Sequence, residues 1–240
     1  MRTIDLNADM GELPGATGRA SDREMLRYVT SANIACGFHA GDASTMRETA
    51  ERCLELGVAI GAHPGLPDRE GFGRRRLAVG AVEAADMVLY QTGALKALVE
   101  AAGGTLKHVK LHGALYHMAT EDDALAMAVA QAIARFDGRL ALFGLPDSAW
   151  SGAASACGLA FVTEGFADRA YLPDGRLMPR DREDAVHGNL DSVADQALAL
   201  ANGGRFGTIC LHGDTPGAAE HARMVAETLR YAGIAVHSAG

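Results

Sequence analysis

Basic residues are scarce in this 240-residue chain: 22 lysines and arginines stand against 30 acids, a formal charge of -8. Phosphate backbones need clustered lysine and arginine, so this balance argues against a nucleic-acid surface. Long apolar runs are also missing, which argues against a membrane-spanning helix. Met1 to Asp9 passes straight into a charged strand pattern with no apolar stretch of its own, so no secretory leader is expected. Only four cysteines occur, Cys36, Cys53, Cys157 and Cys210, and no CxxC pairs them. Free thiols in a reducing cytoplasm are expected, with neither disulfides nor a structural zinc. The phosphate-cradling patterns GxxxxGK(S/T) and GxGxxG are absent, as is a GxSxG elbow. Their absence excludes a self-contained P-loop or dinucleotide-binding protein and lowers the case for serine acyl transfer.

What is present is a repeated layout. Ser31 to Asp42, SANIACGFHAGD, starts with small apolar residues suited to a buried strand and breaks into Gly37, His39, Gly41 and Asp42. Val58 to Gly65 reads VAIGAHPG, Val109 to Tyr116 reads VKLHGALY, and Thr208 to Pro216 reads TICLHGDTP. Each is an apolar run ending in His and followed by Gly or Pro. Thr3 to Glu12 repeats the layout with Asp5, Asn7, Asp9 and Glu12 in place of His. One His near glycines is as easily a core or capping residue as a functional one, but four at equivalent points are hard to explain as packing. In a barrel of parallel strands, C-terminal strand ends converge on one mouth.

Strands are predicted near residues 3–8, 32–36, 58–62, 107–112, 139–143, 160–164 and 207–212, with a last one at 234–237. Helices are predicted between them. One opens at a capping box, Ser21 to Glu24, and runs to about Tyr28. Others span Ser44 to Gly57 and Gly80 to Gly103, and a further one opens at Thr120 and runs to Gly138, with later helices ending near Gly158, Gly203 and Gly233. Alternating strands and helices imply parallel βαβ units. Polar residues at nearly every strand end favour a closed barrel over an open sheet, which would gather them at one switch point. The expected fold is therefore an α/β protein, an irregular (β/α) barrel of about seven parallel strands. Its length and ordinary composition, 48% hydrophobic and 22% charged, suit a single domain over residues 1–240.

Two segments break the rhythm. Pro64 to Arg76, PGLPDREGFGRRR, is expected to be an irregular lid or binding loop whose Arg74 and Arg75 clamp a carboxylate or phosphate, or else form a solvated turn. Ala167 to Arg180 carries the turn signal Pro173-Asp174-Gly175 and is expected to form a β-hairpin arm. The mouth then holds carboxylates, imidazoles, an Asn and Lys110, a set suited to proton transfer and activation of water. Lys110 lies two residues before His112, so a strand points both the same way. It can stabilise developing negative charge, or simply be buried against Asp5 or Asp9. The His and Asp residues could also hold a divalent ion such as Zn, Mn or Co.

The blocks IDLNADMGE, SANIACGFHAGD, GVAIGAHPGLPDREGFGRR, HVKLHGALYHMA, FADRAYLPDGRLMPR and TICLHGDTPGA resemble the signature blocks of the LamB/YcsF family, the A subunit of the bacterial ATP-dependent 5-oxoprolinase. They run in order from Ile4 to about Gly233. The resemblance implies hydrolytic opening of 5-oxo-L-proline to L-glutamate, coupled to ATP hydrolysis in a complex with subunits B and C. It also implies a barrel similar to that of the polysaccharide deacetylases. On this reading B and C handle the nucleotide, which agrees with the missing phosphate loop. Asp9 or Glu12 would be the general base, His39, His63 and His112 would position water or protonate the leaving nitrogen, and Lys110 would meet the developing charge. Asn7, Asn33, Asp42, Arg74, Arg75, Asp168, Arg169, His212 and Asp214 would bind substrate or support those groups. Two alternatives stay open: a stand-alone metal-dependent deacetylase or amidohydrolase, and a non-catalytic subunit that binds a small acid. A homo-oligomer is compatible with all three.

Overall fold

The computed structural model describes residues 2–180, 182–214 and 217–239. The elements alternate along the chain: β1 (Thr3–Met10), α1 (Gly15–Met25), β2 (Ser31–Ala35), α2 (Ala43–Leu56), β3 (Ala59–His63), α3 (Ala81–Ala101), β4 (Leu106–Lys110), α4 (Gly113–Glu121), α5 (Asp123–Asp137), β5 (Ala141–Gly144), α6 (Ala149–Ala156), β6 (Phe161–Phe166), α7 (Leu190–Gly203), β7 (Thr208–Leu211), α8 (Ala218–Tyr231) and β8 (Ala235–Val236). Strands β1 to β7 pair in parallel in chain order, and β1 closes the ring by pairing with both β2 and β7. The short β8 pairs with Thr3 and Ile4 at the bottom of β1. This is the expected barrel of seven parallel strands with helices between them.

Burial explains why β1 carries alternating chemistry although seven of its eight residues are buried. Its even positions Ile4, Leu6, Ala8 and Met10 join the apolar shell formed with the helices. Its odd positions Asp5, Asn7 and Asp9 bond instead to polar groups of β2, β4, β6 and β7. A strand with period-two side chains can serve both layers at once. The barrel interior is thus a polar column, and the hydrophobic core lies outside it.

Several helix boundaries differ from the sequence expectation. The Ser21 capping box does not form: α1 starts at Gly15 behind Pro14, Ser21 is interior to the helix, and regular helix ends at Met25 rather than Tyr28. The Asp22 carboxylate accepts from the Gly11 amide (2.9 Å), tying α1 to the loop after β1. Thr120 does not open a helix either. Its hydroxyl donates to the Tyr116 carbonyl (2.8 Å) in the last turn of α4, and Asp122 caps α5 by accepting from the amides of Ala124 and Leu125. The helix from residue 44 is close to expectation, capped by Asp42 and ended by Gly57 at φ 69°.

Residues 64–80 carry no helix or strand. The arm forms where the hairpin is expected, held by antiparallel bridges Tyr171–Leu177 and Arg169–Val186 rather than regular strands. All four cysteines are free. Among the described residues no helix is long and apolar enough to cross a membrane. Thr215 and Pro216, the end of the repeated run from Thr208, lie outside the described residues.

Candidate active site

The strand ends deliver their polar residues to one place. A cavity of about 750 Å³ opens above the barrel, with Asp9, His63, Lys110, His112 and His212 at its floor and Arg74, Tyr116, Arg169, Tyr171 and Arg180 among its walls. Asp9 ends the inward row of β1, His63 ends β3, Lys110 ends β4 and His212 follows β7.

Lys110 links the deep column to the mouth. Its ammonium donates to Asp9 Oδ1 at 2.8 Å and lies 3.0 Å from Glu164 Oε1, with Cys210 Sγ at 2.9 Å. Asn33 donates to Asp9 Oδ1 (2.9 Å) and to Asn7 Oδ1 (2.7 Å), and Asn7 donates to Glu164 Oε1 (3.1 Å) and Thr208 Oγ1 (2.7 Å). Tyr116 donates to the other Glu164 oxygen at 3.0 Å. Burial alone would drive the Lys110 ammonium toward neutrality, but Asp9, Cys210 and Glu164 reverse this and hold its pKa well above the usual lysine range. Burial pushes the Asp9 carboxyl up, yet His63 and Lys110 outweigh it, so Asp9 stays ionised with a pKa well below the usual range. Deep in the column His108 donates through Nε2 to Asn33 Oδ1 (2.7 Å) and stacks on Phe143. Gly61 makes room for it, because a Cβ there would lie 2.0 Å from the ring. Burial drives His108 down to about 3, so it is neutral.

Glu12 organises the imidazoles. Its Oε1 accepts from His39 Nε2 at 3.0 Å and lies 3.1 Å from His112 Nδ1 and 3.6 Å from His63 Nε2. His63 Nδ1 donates to the Lys110 carbonyl (2.8 Å), and His112 Nε2 donates to the Phe72 carbonyl (2.8 Å). The inner nitrogens, His63 Nε2 and His112 Nδ1, therefore face each other at 3.0 Å. Two lone pairs at that distance require a cation between them, a proton or a metal ion. Burial lowers the His63 pKa, but Asp9 and Glu12 raise it by more. His39, stacked on His112, is driven by burial to about 4 and is neutral.

Of the residues singled out in the sequence, Asp9, His63, Lys110, His112, Arg74, Arg169 and His212 line the cavity. Glu12 and His39 are buried behind His63 and His112, and Asn7 and Asn33 support Asp9 from below. Asp168 accepts from His212 Nδ1 (2.9 Å) and orients that ring. Asp214 pairs with Arg74 at 2.6 Å. Two lie elsewhere. Asp42 caps α2 by accepting from the Thr45 amide (2.8 Å), and Arg75, 60% exposed at its side chain, is committed to Asp68. Glu164, Tyr116 and Arg180 are missed by the sequence reading. The available signal for Glu164 was a lone carboxylate within the strand run FVTEGF.

The profile of the LamB/YcsF family matches residues 4–240. The chain belongs to the LamB/YcsF family. A curated family relative, the 5-oxoprolinase A subunit of Bordetella pertussis, is 48% identical, covering 98% of this chain and 98% of its own. The crystal structure of the lactam utilization protein of Thermus thermophilus superposes with a TM-score of 0.91 at 42% identity, over 98% of this chain and 99% of that one. A family 4 carbohydrate esterase of Streptomyces lividans shares the fold alone, with a TM-score of 0.52 at 11% identity over 100% of this chain and 93% of its own.

Proposed function

We propose that this chain is the A subunit of an ATP-dependent 5-oxoprolinase, which opens the lactam of 5-oxo-L-proline to L-glutamate and draws on ATP through subunits B and C. The observation that carries the reading is the convergence of Asp9, His63, Lys110 and His112 on one cavity in a chain so similar to a protein named as the A subunit of 5-oxoprolinase. A five-membered lactam is a stable amide, and phosphorylation of its carbonyl oxygen by the partners would activate the carbonyl carbon; addition of water and loss of the ring nitrogen then leave the new carboxyl as an acyl phosphate, which a second water hydrolyses to glutamate and phosphate. This chain adds the first water. Asp9 Oδ1 is held by Lys110 and Asn33, while Oδ2, 3.4 Å from His63 Nε2, is the oxygen that takes the proton of a water as it attacks the carbonyl carbon. The Lys110 ammonium lies where it can stabilise charge on the carbonyl oxygen. The His63 imidazolium, oriented by the Lys110 carbonyl, supplies a proton to the departing ring nitrogen, and Glu12 holds His112 and His39 in place.

The donor set also fits a divalent cation. A tetrahedral site with ligands at about 2.0–2.1 Å has edges of about 3.3 Å, and the donor separations of 3.0–3.6 Å among Glu12, His63 and His112 bracket that value. The outer N–H groups of His63 and His112 are donated to backbone carbonyls, as metal-bound imidazoles require. His63, His112 and Glu12 would hold the ion, with His39 supporting Glu12, and the fourth position would stay open toward the cavity, where the ion would polarise the carbonyl and acidify the attacking water. This set is what favours a second reading, a stand-alone metal-dependent amidohydrolase.

Glutamate release from 5-oxo-L-proline and ATP separates the two, measured for the chain alone, for the chain with subunits B and C, and for each mixture after chelation and metal add-back. Activity in the full mixture alone is expected. Turnover of another amide or acetyl ester by the isolated chain, lost on chelation, would overturn this in favour of the second reading.

A further inference from the structure

The cavity has two chemically distinct halves. Its floor carries the Asp9, His63 and Lys110 set, while Arg74, Arg169 and Arg180 stand on its walls. Arg169 is only 3% exposed. Its guanidinium donates to the backbone carbonyls of Met178 (2.6 Å) and Ala185 (3.3 Å), and among the described residues it forms no ion pair. The adjacent carboxylate, Asp168, is already taken by the ring and amide of His212. Arg180, half-buried on the same arm, likewise has no ion pair among the described residues. Arg74 is paired with Asp214 and lies over the Phe72 ring.

A buried guanidinium without a directly bonded carboxylate is unfavourable, and crowding guanidiniums together makes it more so. Burial lowers Arg169 to about 10, with the charge of Arg180 acting in the same direction. Arg180 is lowered by burial and then by Arg74, with the more distant charges of Asp214, Asp168 and Asp9 opposing but not reversing this. The crowding places a positive wall inside a protein whose formal charge is -8. It is resolved when an oxyanion enters, because the planar guanidinium matches carboxylate and phosphoryl oxygens in a two-point bond.

We propose that Arg169 and Arg180, with Arg74 beside them, form a cradle for a carboxylate or phosphoryl group of the bound small molecule and so fix which end of it faces Asp9 and Lys110. Combined with the lactam reading, on which the choice of substrate rests, the cradle holds the ring carboxylate of 5-oxo-L-proline and leaves its amide carbonyl over the floor. Arg180 is a specificity residue that acts through binding and moves no proton.

The test is calorimetric titration of the full chain, wild type, Arg180→Gln and Arg180→Lys, with 5-oxo-L-proline, with 2-pyrrolidinone (the same ring without the carboxylate) and with inorganic phosphate. Arg180 is half-buried on an irregular arm, so these variants should keep the wild-type melting temperature. Wild type is expected to bind 5-oxo-L-proline at least about tenfold more tightly than 2-pyrrolidinone. Arg180→Gln should erase that preference without changing 2-pyrrolidinone binding, and Arg180→Lys should restore part of it. Loss of phosphate binding alone would assign the cradle to a phosphoryl group. If phosphate binds in an Arg180-dependent way while neither lactam binds, the cradle stands and the lactam reading fails. Anion binding that Arg180→Gln leaves unchanged, or no anion binding by wild type, overturns the cradle.

Discussion

Asp22 is a carboxylate buried for a structural purpose, since it accepts from the Gly11 amide and anchors α1 to the loop that carries Glu12. Burial raises its pKa to about 6 from 3.8, the Gly11 amide opposes this, and the charge of Glu12 adds to it. Between about pH 4 and 6 the folded chain therefore holds a proton that the unfolded chain has released, and stability falls as pH rises through that window, by up to about 3 kcal/mol. Asp22→Asn keeps an oxygen for the Gly11 amide and removes the charge. Urea unfolding should find the variant and wild type equally stable at pH 4 and the variant more stable at pH 7. A difference that does not change with pH would contradict this cause. Lys110 is the opposite case, a buried charge whose partners Asp9 and Glu164 lie on two other strands and stabilise it fully.

At the scale of elements, the loop over residues 64–80 acts as a clamp on His112. The Pro64 carbonyl accepts from the His112 amide (2.9 Å), the Phe72 carbonyl from its ring (2.8 Å), and the Gly73 carbonyl from the Ala114 amide (2.9 Å). Gly73 has φ 64°, and a Cβ there would lie 2.8 Å from His39 Cβ and 2.9 Å from His112 Cδ2. Gly73→Ala should cost about 1–3 kcal/mol in stability. It should also lower kcat of the assembled complex by at least about tenfold, because His112 must shift. Thermal melting and turnover together check this, and unchanged turnover in a destabilised variant would refute the clamp. Strand ends were legible in the sequence because an apolar run breaking into Gly and His is a local signal. The starts of α1 and α4 were not. Pro14 offers no capping side chain, and His112, the N-cap of α4, commits its ring to Phe72 and Glu12 instead.

At the scale of the whole molecule, closure of the barrel creates the site. Asn7 and Glu164 bond across 157 positions of sequence, and Lys110 meets Asp9 across 101. No local pattern encodes such contacts, which is why Glu164 and Arg180 escaped the sequence reading while the histidines, marked by repetition, did not. Asp42 and Arg75 illustrate the reverse: each is the last residue of a signature block, yet one caps a helix and the other pairs within its own loop. Filling the barrel interior with a bonded polar column makes the floor rigid, since Asp9 cannot move without disturbing Lys110 and Asn33. The central claim is that this floor performs ring opening. The measurement that tests it most directly is kcat for glutamate release by the chain assembled with subunits B and C, comparing wild type with Asp9→Asn and His63→Ala variants that melt cooperatively. A fall of about 10²- to 10⁴-fold in each is predicted. Full turnover by either folded variant would contradict the account.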